Sequence, residues 1–399
     1  MRLSRILFWA SLLYTLGLTT SLAIPIIETG ADIIRVFAIS DLHVDAPANL
    51  KWVERHSQEK PKLLNSDTDN QHCSLLIAGD ISGDLDKLKL TLTSFRRSYD
   101  SVFFVPGNHE LWLAEEEGQD YADSLEKLEA VLETAQACGC HTSPAKLVNA
   151  EGKGVLVAPL LSWYHASFDT EPELPSRTSA TFGRRWQDFR RCKWPEKVVR
   201  RECVTDLDGE DTSLAEHFAG MNDCEAILEA VEEGDQFLTL SHFLPFIELI
   251  PEKRFRVEPL LSKVVGSNIL GEQVLAVSPD LHLFGHTHIP VDLEIEGAVH
   301  VQWPLGSVKE QSRQCRRIGR EGPLEIARNP GEVRCRWPGG GERTVWGLHY
   351  EKNEREPYRF DLAPWVVERQ SKMRERTGKP LIITKDWVDA NINITKINT

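Results

Sequence analysis

This chain lacks cysteines in CxxC spacing and has no excess of positive charge. None of the eight cysteines among its 399 residues belongs to a CxxC pair, which argues against a structural zinc ribbon. Their even number is compatible with disulfides without demonstrating any. Lysine and arginine total 46 against 60 acidic residues, a net charge of −14. Because phosphate contacts need a basic surface, this balance argues against a general nucleic-acid coating role.

Internal repeats are also lacking, and what remains is the composition of an ordinary globular protein. Hydrophobic residues make up 41% and charged residues 27% of the chain. The length allows one large domain with extensions, or two domains, and is ample for a sizeable core.

Residues 1–27 differ from the rest of the chain because Arg2 and Arg5 precede an uncharged, largely apolar run over residues 6–27. A basic start followed by an apolar stretch is typical of a secretory signal peptide, and residues 21–23 offer small side chains for cleavage. The run is also long enough to span a bilayer, so membrane attachment as an uncleaved anchor is the alternative. Both interpretations predict the secretory pathway, with the protein secreted, lumenal or anchored; a bipartite organelle address is a further alternative.

An apolar strand followed by a polar turn recurs five times in the chain. In the clearest case the run Val102–Val105 ends at Pro106 and Gly107, and Asn108 and His109 follow. Pro106 ends the strand and Gly107 permits close backbone approach, so the next two side chains should project from the strand's carboxyl end. In open α/β sheets that edge is where sites form.

Four further strands end in the same way. The ligand-type residues that follow them are, in chain order, Asp41, His43, Asp80, His242, His286 and His288. Together with Asn108 they form a mixed oxygen and nitrogen set suited to borderline divalent metals such as Mn, Fe or Zn. Amphipathic helices predicted at 84–97 and 121–138 alternate with the strands, which indicates an α/β layered fold.

The order of these blocks, DxH, GD, GNH followed by an acidic residue, a single His and GHxH, resembles the calcineurin-like metallophosphoesterase superfamily over residues 33–306. Residues 40–45, 241–245 and 264–267 look like a poorly characterised plant or algal branch, which supplies no substrate. The resemblance implies a four-layer sandwich of two mixed β-sheets flanked by helices. We expect this domain at 28–310, with an insertion at about 166–212 and a C-terminal extension at 311–399.

The resemblance also implies a role for each ligand-type residue. Asp41, His43 and His288 would complete one metal site, Asn108, His242 and His286 the other, and Asp80 would bridge two divalent or trivalent ions. The ions would lower the pKa of a bridging water, and the resulting hydroxide would attack a phosphate monoester or diester in line. His109, beside the site, is assigned as general acid for the leaving oxygen, a task suited to a near-neutral pKa.

Three more residues are candidates for contacting an anionic substrate. His165 follows a strand end, while Arg184 and Arg185 belong to the basic insertion, which could overhang the metal site. A solvated face is the simpler interpretation of that basic stretch. His282 lies within an apolar strand and is expected in the core.

We therefore expect a binuclear metal-dependent phosphoesterase, a hydrolase acting on the ester bonds of phosphate-ester substrates. The Gly79–Asp80 block lacks the following Arg of serine/threonine protein phosphatases, which disfavours that class. One alternative is a non-catalytic metal-binding scaffold for protein partners, whose mark would be lost ligands, and none is lost here. Another is an anchored surface protein with a structural metal, which would bind metal without turnover.

Overall fold

The computed structural model describes residues 23–58, 70–113, 121–174, 182–183, 185–199, 207, 211–311, 322–336 and 344–377. The strands in these residues are β1 (Ile26–Glu28), β2 (Ile33–Ile39), β3 (Gln71–Ala78), β4 (Ser101–Val105), β5 (Ala145–Val148), β6 (Gly154–Pro159), β7 (Gln236–Leu240), β8 (Leu281–Phe284), β9 (Val291–Ile295), β10 (Ala298–Gln302), β11 (Leu324–Asn329) and β12 (Val333–Arg336). The helices are α1 (Pro47–Gln58), α2 (Leu85–Arg96), α3 (Ser124–Ala137), α4 (Asp188–Arg191), α5 (Ser213–Ala219), α6 (Cys224–Ala230), α7 (Asn268–Val277), α8 (Val308–Gln311), α9 (Val345–Lys352) and α10 (Pro364–Thr377).

Two mixed sheets form the centre of the molecule. The seven-stranded sheet has the order β1-β5-β6-β7-β8-β10-β9, and the five-stranded sheet has the order β12-β11-β2-β3-β4. Strands β2, β3 and β4 are parallel, as are β6, β7 and β8, and antiparallel strands complete each sheet. This arrangement confirms the predicted α/β fold with two mixed sheets flanked by helices.

The main hydrophobic core lies between the two sheets. Side chains from the smaller sheet, such as Leu75 and Phe103, share one buried cluster with Val157, Leu238 and Leu283 from the larger sheet. All five residues of β4 are buried, which explains its uninterrupted apolar sequence, since a parallel strand covered on both faces needs no polar side. The packing brings the carboxyl ends of the parallel strands of both sheets to a common edge.

Capping residues account for the helix boundaries. The Asp84 side chain accepts hydrogen bonds from the backbone N–H groups of Asp86 and Lys87 at the start of α2, as an N-cap does. Residues 213–230 form two short helices, α5 and α6, rather than one continuous helix. Asp223 caps α6 by accepting from the Ala226 N–H, so a new helix begins there.

The segment predicted as a C-terminal extension, residues 311–399, contributes two strands, β11 and β12, to the smaller sheet. Strand β11 pairs antiparallel with β2, because β2 would otherwise present an unpaired edge. A buried ion pair joins the same two strands, with Arg35 Nη2 2.6 Å from Glu325 Oε2. Further along, Asp292 accepts hydrogen bonds from the backbone N–H and hydroxyl of Thr344, just before α9. The described parts of the C-terminal segment, residues 322–336 and 344–377, therefore pack back on the domain.

At the other end of the described chain, strand β1 joins the larger sheet. Ile26 and Ile27, the last residues counted in the predicted leader or anchor, pair with β5 at the edge of the larger sheet. Residues 1–22, which carry most of that prediction, lie outside the described residues. No helix in the described part of the chain is long and apolar enough to cross a bilayer.

Cys138 and Cys140 are both free thiols.

Candidate metal centre

The strand ends that carry the ligand-type residues meet at one place. Backbone hydrogen bonds tie the loops together: the Asp41 N–H donates to Gly79 O at 3.0 Å, and the Gly285 N–H donates to His242 O at 2.9 Å. The residues brought together are Asp41, His43, Asp80, Asn108, His242, His286 and His288. These are the seven residues predicted as metal ligands.

One group of ligand atoms belongs to Asp41, His43, Asp80 and His288, and these atoms all lie within 4.8 Å of one another. The Nε2 atoms of His43 and His288 are 2.8 Å apart, and His288 Nε2 is 3.4 Å from Asp41 Oδ1. His43 Nε2 also lies 3.8 Å from Asp80 Oδ2. Two imidazole nitrogens and two carboxylates thus converge on one point.

A second group consists of Asp80, His242 and His286. Asn108 joins it, because Asn108 Oδ1 lies 3.1 Å from His242 Nε2 and 2.9 Å from His286 Nδ1. His242 Nε2 is 3.4 Å from Asp80 Oδ1, whereas Asp80 Oδ2 faces His43 of the first group. The two carboxylate oxygens of Asp80 therefore face different groups, and Asp80 is the residue that the groups share.

Glycine is required where the strand ends approach each other. A Cβ atom at residue 107 would lie 2.3 Å from Asp80 Oδ1 and 2.7 Å from His242 Nε2, inside the ligand cluster itself. At Gly79, with φ of +77°, a Cβ would lie 2.5 Å from His242 Nδ1. Any side chain at either position would push the ligands apart.

Hydrogen bonds on the far side of the rings fix which nitrogen of three histidines faces the cluster. His242 Nδ1 lies 2.8 Å from Ala78 O, and His286 Nε2 lies 3.0 Å from Val264 O. Because a carbonyl oxygen only accepts, each of these nitrogens carries the proton and the inward nitrogen presents a lone pair. His288 Nδ1 is held in the same way by Glu310 Oε2 at 2.7 Å. The converging lone pairs of His242 and His286 on anchored rings, with His288 able to add a third once its Nε2 is deprotonated, are the donor set of a metal site.

Charges within the cluster shift the protonation of its members. Burial opposes a charge on His288, but Asp41 and Glu310 outweigh it and raise the pKa of His288 to about 10. Burial and the positive charge of His288 lower the pKa of His43 to about 3. For Asp80, burial and the negative charges of Glu110 and Asp41 raise the pKa well above its usual value. A cation entering this site would therefore compete with protons.

The sequence motif assigned no role to Glu110, yet it organises the central turn. Its buried carboxylate accepts hydrogen bonds from the backbone N–H groups of Gly107 at 2.6 Å, Asp80 at 2.9 Å, Ile81 at 2.6 Å and Ser82 at 2.9 Å. One side chain thus holds the ends of β3 and β4 in register. The acidic residue after GNH was the available signal for this role.

Two further contributors had no signal in the sequence. Glu310 holds His288 from helix α8, and the Ser307 hydroxyl in turn donates to Glu310 Oε2 at 2.8 Å. Asp188, an acid within the basic insertion, accepts a hydrogen bond from Asn108 Nδ2 at 2.8 Å. Both act through contacts between distant segments, which spacing along the chain does not reveal.

His109 lies beside the cluster, with Nε2 3.7 Å from Asp80 Oδ2 and its ring against Trp112 at a centroid distance of 3.6 Å. Its side chain remains 25% exposed, so it can be reached from solvent. Burial and the charges of the neighbouring histidines lower its pKa well below the usual value, contrary to the near-neutral pKa expected. The neutral imidazole is accordingly its resting form.

Two clefts share His109, Trp112 and His288 in their linings. The lining of the first, of about 670 Å³, includes the polar side chains of Asp84, Arg191 and Ser307. The second, of about 410 Å³, is lined by Arg185 together with the apolar side chains Phe182, Trp186 and Leu261. The predicted substrate contact Arg185 thus lies at the site, whereas Arg184 lies outside the described residues.

His165 does not join the cluster. Its side chain is buried, Nδ1 lies 2.9 Å from Ser167 Oγ, and Nε2 accepts from the Asn268 N–H at 3.2 Å at the start of α7. With both ring nitrogens engaged in this way, its environment is structural and does not support the predicted contact with substrate. His282 is fully buried between Thr239 and Ser241, as expected of a core residue.

The family model described as calcineurin-like phosphoesterase matches residues 34–290, more than half of the chain. The chain belongs to the calcineurin-like phosphoesterase family. The predicted family is therefore confirmed, and with it the class of enzyme, a hydrolase acting on phosphate esters. The matched residues contain the ligand-type cluster but neither Glu310 nor strand β11.

Similar proteins include a curated relative and two solved structures. [Acyl-carrier-protein] phosphodiesterase PptH of Mycobacterium tuberculosis is 36% identical over 77 residues, which are 19% of this chain and 21% of that protein. The match thus spans about a fifth of the relative. The crystal structure of phosphopantetheinyl hydrolase PptH from the same organism has 20% identity and a TM-score of 0.49, covering 71% of this chain and 93% of that one. A putative 5′-nucleotidase from Staphylococcus aureus has 12% identity and a TM-score of 0.32, covering 68% and 48%.

Proposed function

We propose that this phosphoesterase works with two metal ions and cleaves a P–O bond of phosphodiester or phosphomonoester substrates. The observation that carries the proposal is the sharing of Asp80 between two groups of ligand-type atoms, with one carboxylate oxygen facing each. Two ions a few ångströms apart need a common ligand of this kind. The retention of all seven ligand types supports an enzyme over a scaffold.

Each group would hold one ion of a borderline metal such as Mn, Fe or Zn. Asp41, His43 and His288 would serve the first ion and Asn108, His242 and His286 the second. When bound, the pair supplies Lewis-acid stabilisation of phosphoryl charge and lowers the pKa of a water nucleophile. The chain itself orients the ring lone pairs through the hydrogen bonds of His242, His286 and His288. Glycine at residue 107 leaves room for the ligand atoms, because a Cβ there would clash with them.

His109 would donate the proton to the leaving oxygen. It is a partly exposed imidazole that borders both clefts and, unlike His288, is not among the ligand groups, and it lies within reach of a group seated over Asp80. Burial and the neighbouring histidines lower its pKa, but the negative charge of a phosphate beside it favours the protonated form. Binding of the substrate would therefore favour the protonated imidazole of His109, the form that acts as general acid.

Two clefts that meet at His109 suit a phosphate with two substituents. One substituent would enter the polar cleft beside Arg191, and the other would lie against Trp186 and Leu261 near Arg185. The similarity to a relative named as a phosphodiesterase supports the same preference. We therefore propose phosphodiesters as the preferred substrates, with monoesters cleaved more slowly.

The test is hydrolysis by purified protein supplied with Mn²⁺, Fe²⁺ or Zn²⁺. We expect turnover of bis(p-nitrophenyl) phosphate that requires metal, with a larger kcat/KM than for p-nitrophenyl phosphate. Asp80→Asn should lose most of the activity against both substrates while remaining folded. Folded wild-type protein that binds these metals and hydrolyses neither ester would instead favour the scaffold alternative.

A further inference from the structure

Asp188 is a buried carboxylate in the insertion, and four side chains donate hydrogen bonds to it. Its side chain is 2% exposed. Oδ1 accepts from Asn108 Nδ2 at 2.8 Å and from Trp112 Nε1 at 2.5 Å. Oδ2 accepts from Trp186 Nε1 at 2.8 Å and from the Tyr164 hydroxyl at 3.1 Å. Each carboxylate oxygen thus accepts two hydrogen bonds. Such bonds make a buried carboxylate tolerable where no cationic side chain among the described residues pairs with it.

The hydrogen bond to Asn108 decides which way its amide points. A carboxylate accepts but does not donate, so the atom of Asn108 that faces Asp188 is the NH₂ group. The amide is planar, and its oxygen is therefore directed to the opposite side, towards His242 Nε2 at 3.1 Å and His286 Nδ1 at 2.9 Å. A flipped amide would present hydrogens, which no cation accepts, to the ligand cluster.

The insertion that carries Asp188 is itself fixed against the segment after Asn108. The Leu113 N–H donates to Arg191 O at 2.8 Å, and the Arg191 guanidinium lies 4.7 Å from the centre of the Trp112 ring. Trp112 therefore contacts both ends of helix α4, through Asp188 and through Arg191. These contacts place the carboxylate independently of Asn108.

We propose that Asp188 is a positioning residue for the second metal ion, acting through the amide of Asn108. The inference rests on the proposed function, since it assumes that Asn108, His242 and His286 hold an ion. This role would also connect the insertion to the metal site. The insertion lines the second cleft with Phe182 and Trp186, and its Asp188 orients the ligand Asn108. The first group, built on Asp41, His43 and His288, has no contact with Asp188 among the described residues and should be independent of it.

The experiment measures Mn²⁺ binding to the full chain by equilibrium dialysis with metal analysis. We expect wild-type protein to bind two ions and Asp188→Ala to keep the first while binding the second about 10- to 100-fold more weakly, the usual loss when an outer hydrogen-bond partner of a ligand is removed. Tyr164→Phe is the matched control, because it removes a donor from the other oxygen of Asp188 and leaves Asn108 in place. This control should bind both ions as the wild type does.

An exchange of the two side chains keeps the inference testable if Asp188→Ala does not fold. Asn108→Asp alone places a carboxylate opposite that of Asp188, and the repulsion between the two should weaken binding of the second ion. Adding Asp188→Asn restores a donor, the new amide, opposite the new carboxylate, and should recover most of the lost affinity. The exchange-coupled electron paramagnetic resonance signal of two neighbouring Mn²⁺ ions should disappear in the single variants and return in the double variant.

Two failures have different meanings. Unchanged affinity for the second ion in Asp188→Ala, or no recovery in the double variant, would overturn the role of Asp188 and leave the two-metal proposal standing. Wild-type protein that binds fewer than two ions would overturn the proposed function itself.

Discussion

At the scale of single residues, the ligand-type side chains stand on unusual backbone. Asp41, His43, Asp80, His286 and His288 all have φ between 42° and 75°. The left-handed region costs a non-glycine residue on the order of 1–3 kcal/mol, and such conformations persist only where the surroundings over-determine them. Here the surroundings are the hydrogen bonds of Glu110 and the close strand ends. These backbone conformations lower the free energy of unfolding while orienting the ligand-type side chains, as is typical of functional sites.

Removal of the imidazole at residue 109 tests its role as acid. For His109→Ala we expect kcat to fall about 10²- to 10⁴-fold with alkyl phosphodiesters, because a poor leaving group needs the proton. The loss should be much smaller with a p-nitrophenolate leaving group, which departs without protonation. Steady-state kinetics on a series of leaving groups measures the difference.

Metal content provides the control for that variant. His109 is not among the ligand groups, so His109→Ala should bind metal as the wild type does. His217→Ala, on helix α5 away from the cluster, should change neither kinetics nor metal content. A loss that is equal for good and poor leaving groups would contradict the acid role.

Proton release on metal uptake tests the electrostatics of the cluster. With a pKa of about 10, His288 is protonated at pH 7, and the raised pKa of Asp80 acts in the same direction. An ion must displace these protons, so apparent affinity should rise with pH by about tenfold per unit for each proton displaced. Titration calorimetry in buffers of different ionisation enthalpy measures the release. Uptake without proton release, and with affinity independent of pH between 6 and 8, would contradict it.

At the scale of elements, local patterns predicted the strands that lead into the site better than the strands of the C-terminal segment. Strand β4 contains the predicted run Val102–Val105, because that run is apolar and is followed by turn-forming residues. Strand β11 was not predicted: Leu324–Asn329 contains Glu325 and Arg328 without a regular alternation of apolar and polar residues, and its partner β2 lies almost 300 positions earlier. The pairing is decided by the open edge of β2, which no local window contains.

The Arg35–Glu325 pair offers a test of that pairing. Removing Glu325 leaves the Arg35 charge buried, so Glu325→Ala should lower the free energy of unfolding by about 3–5 kcal/mol. Chemical denaturation monitored by circular dichroism measures the change. The expected loss is large because both side chains are almost completely buried.

A second glutamate nearby provides the matched control. Glu332 lies between β11 and β12 and forms an exposed pair with Arg334 at 3.9 Å. Glu332→Ala should therefore cost less than about 1 kcal/mol. Equal effects of the two substitutions would show that β11 does not hold the sheet edge.

At the scale of the whole molecule, the site is assembled from segments that span most of the described chain. The convergence of the seven ligand-type residues could be predicted because each lies within four residues of a strand's carboxyl end, and parallel strand ends share an edge. Glu310, Asp188 and the orientation of Asn108 could not, because they depend on how a late helix and an insertion pack against that edge. His165 also follows a strand end but lies outside the ligand cluster, so this position alone does not place a residue there.

The proposed two-metal centre depends on Asp80 serving two ions at once. Anomalous X-ray diffraction from crystals of the protein grown with Mn²⁺ tests this most directly. We expect two anomalous peaks, one beside His43 and His288 and the other beside His242 and His286, with a different oxygen of Asp80 bound to each. A single peak, or two peaks of which only one touches Asp80, would contradict it.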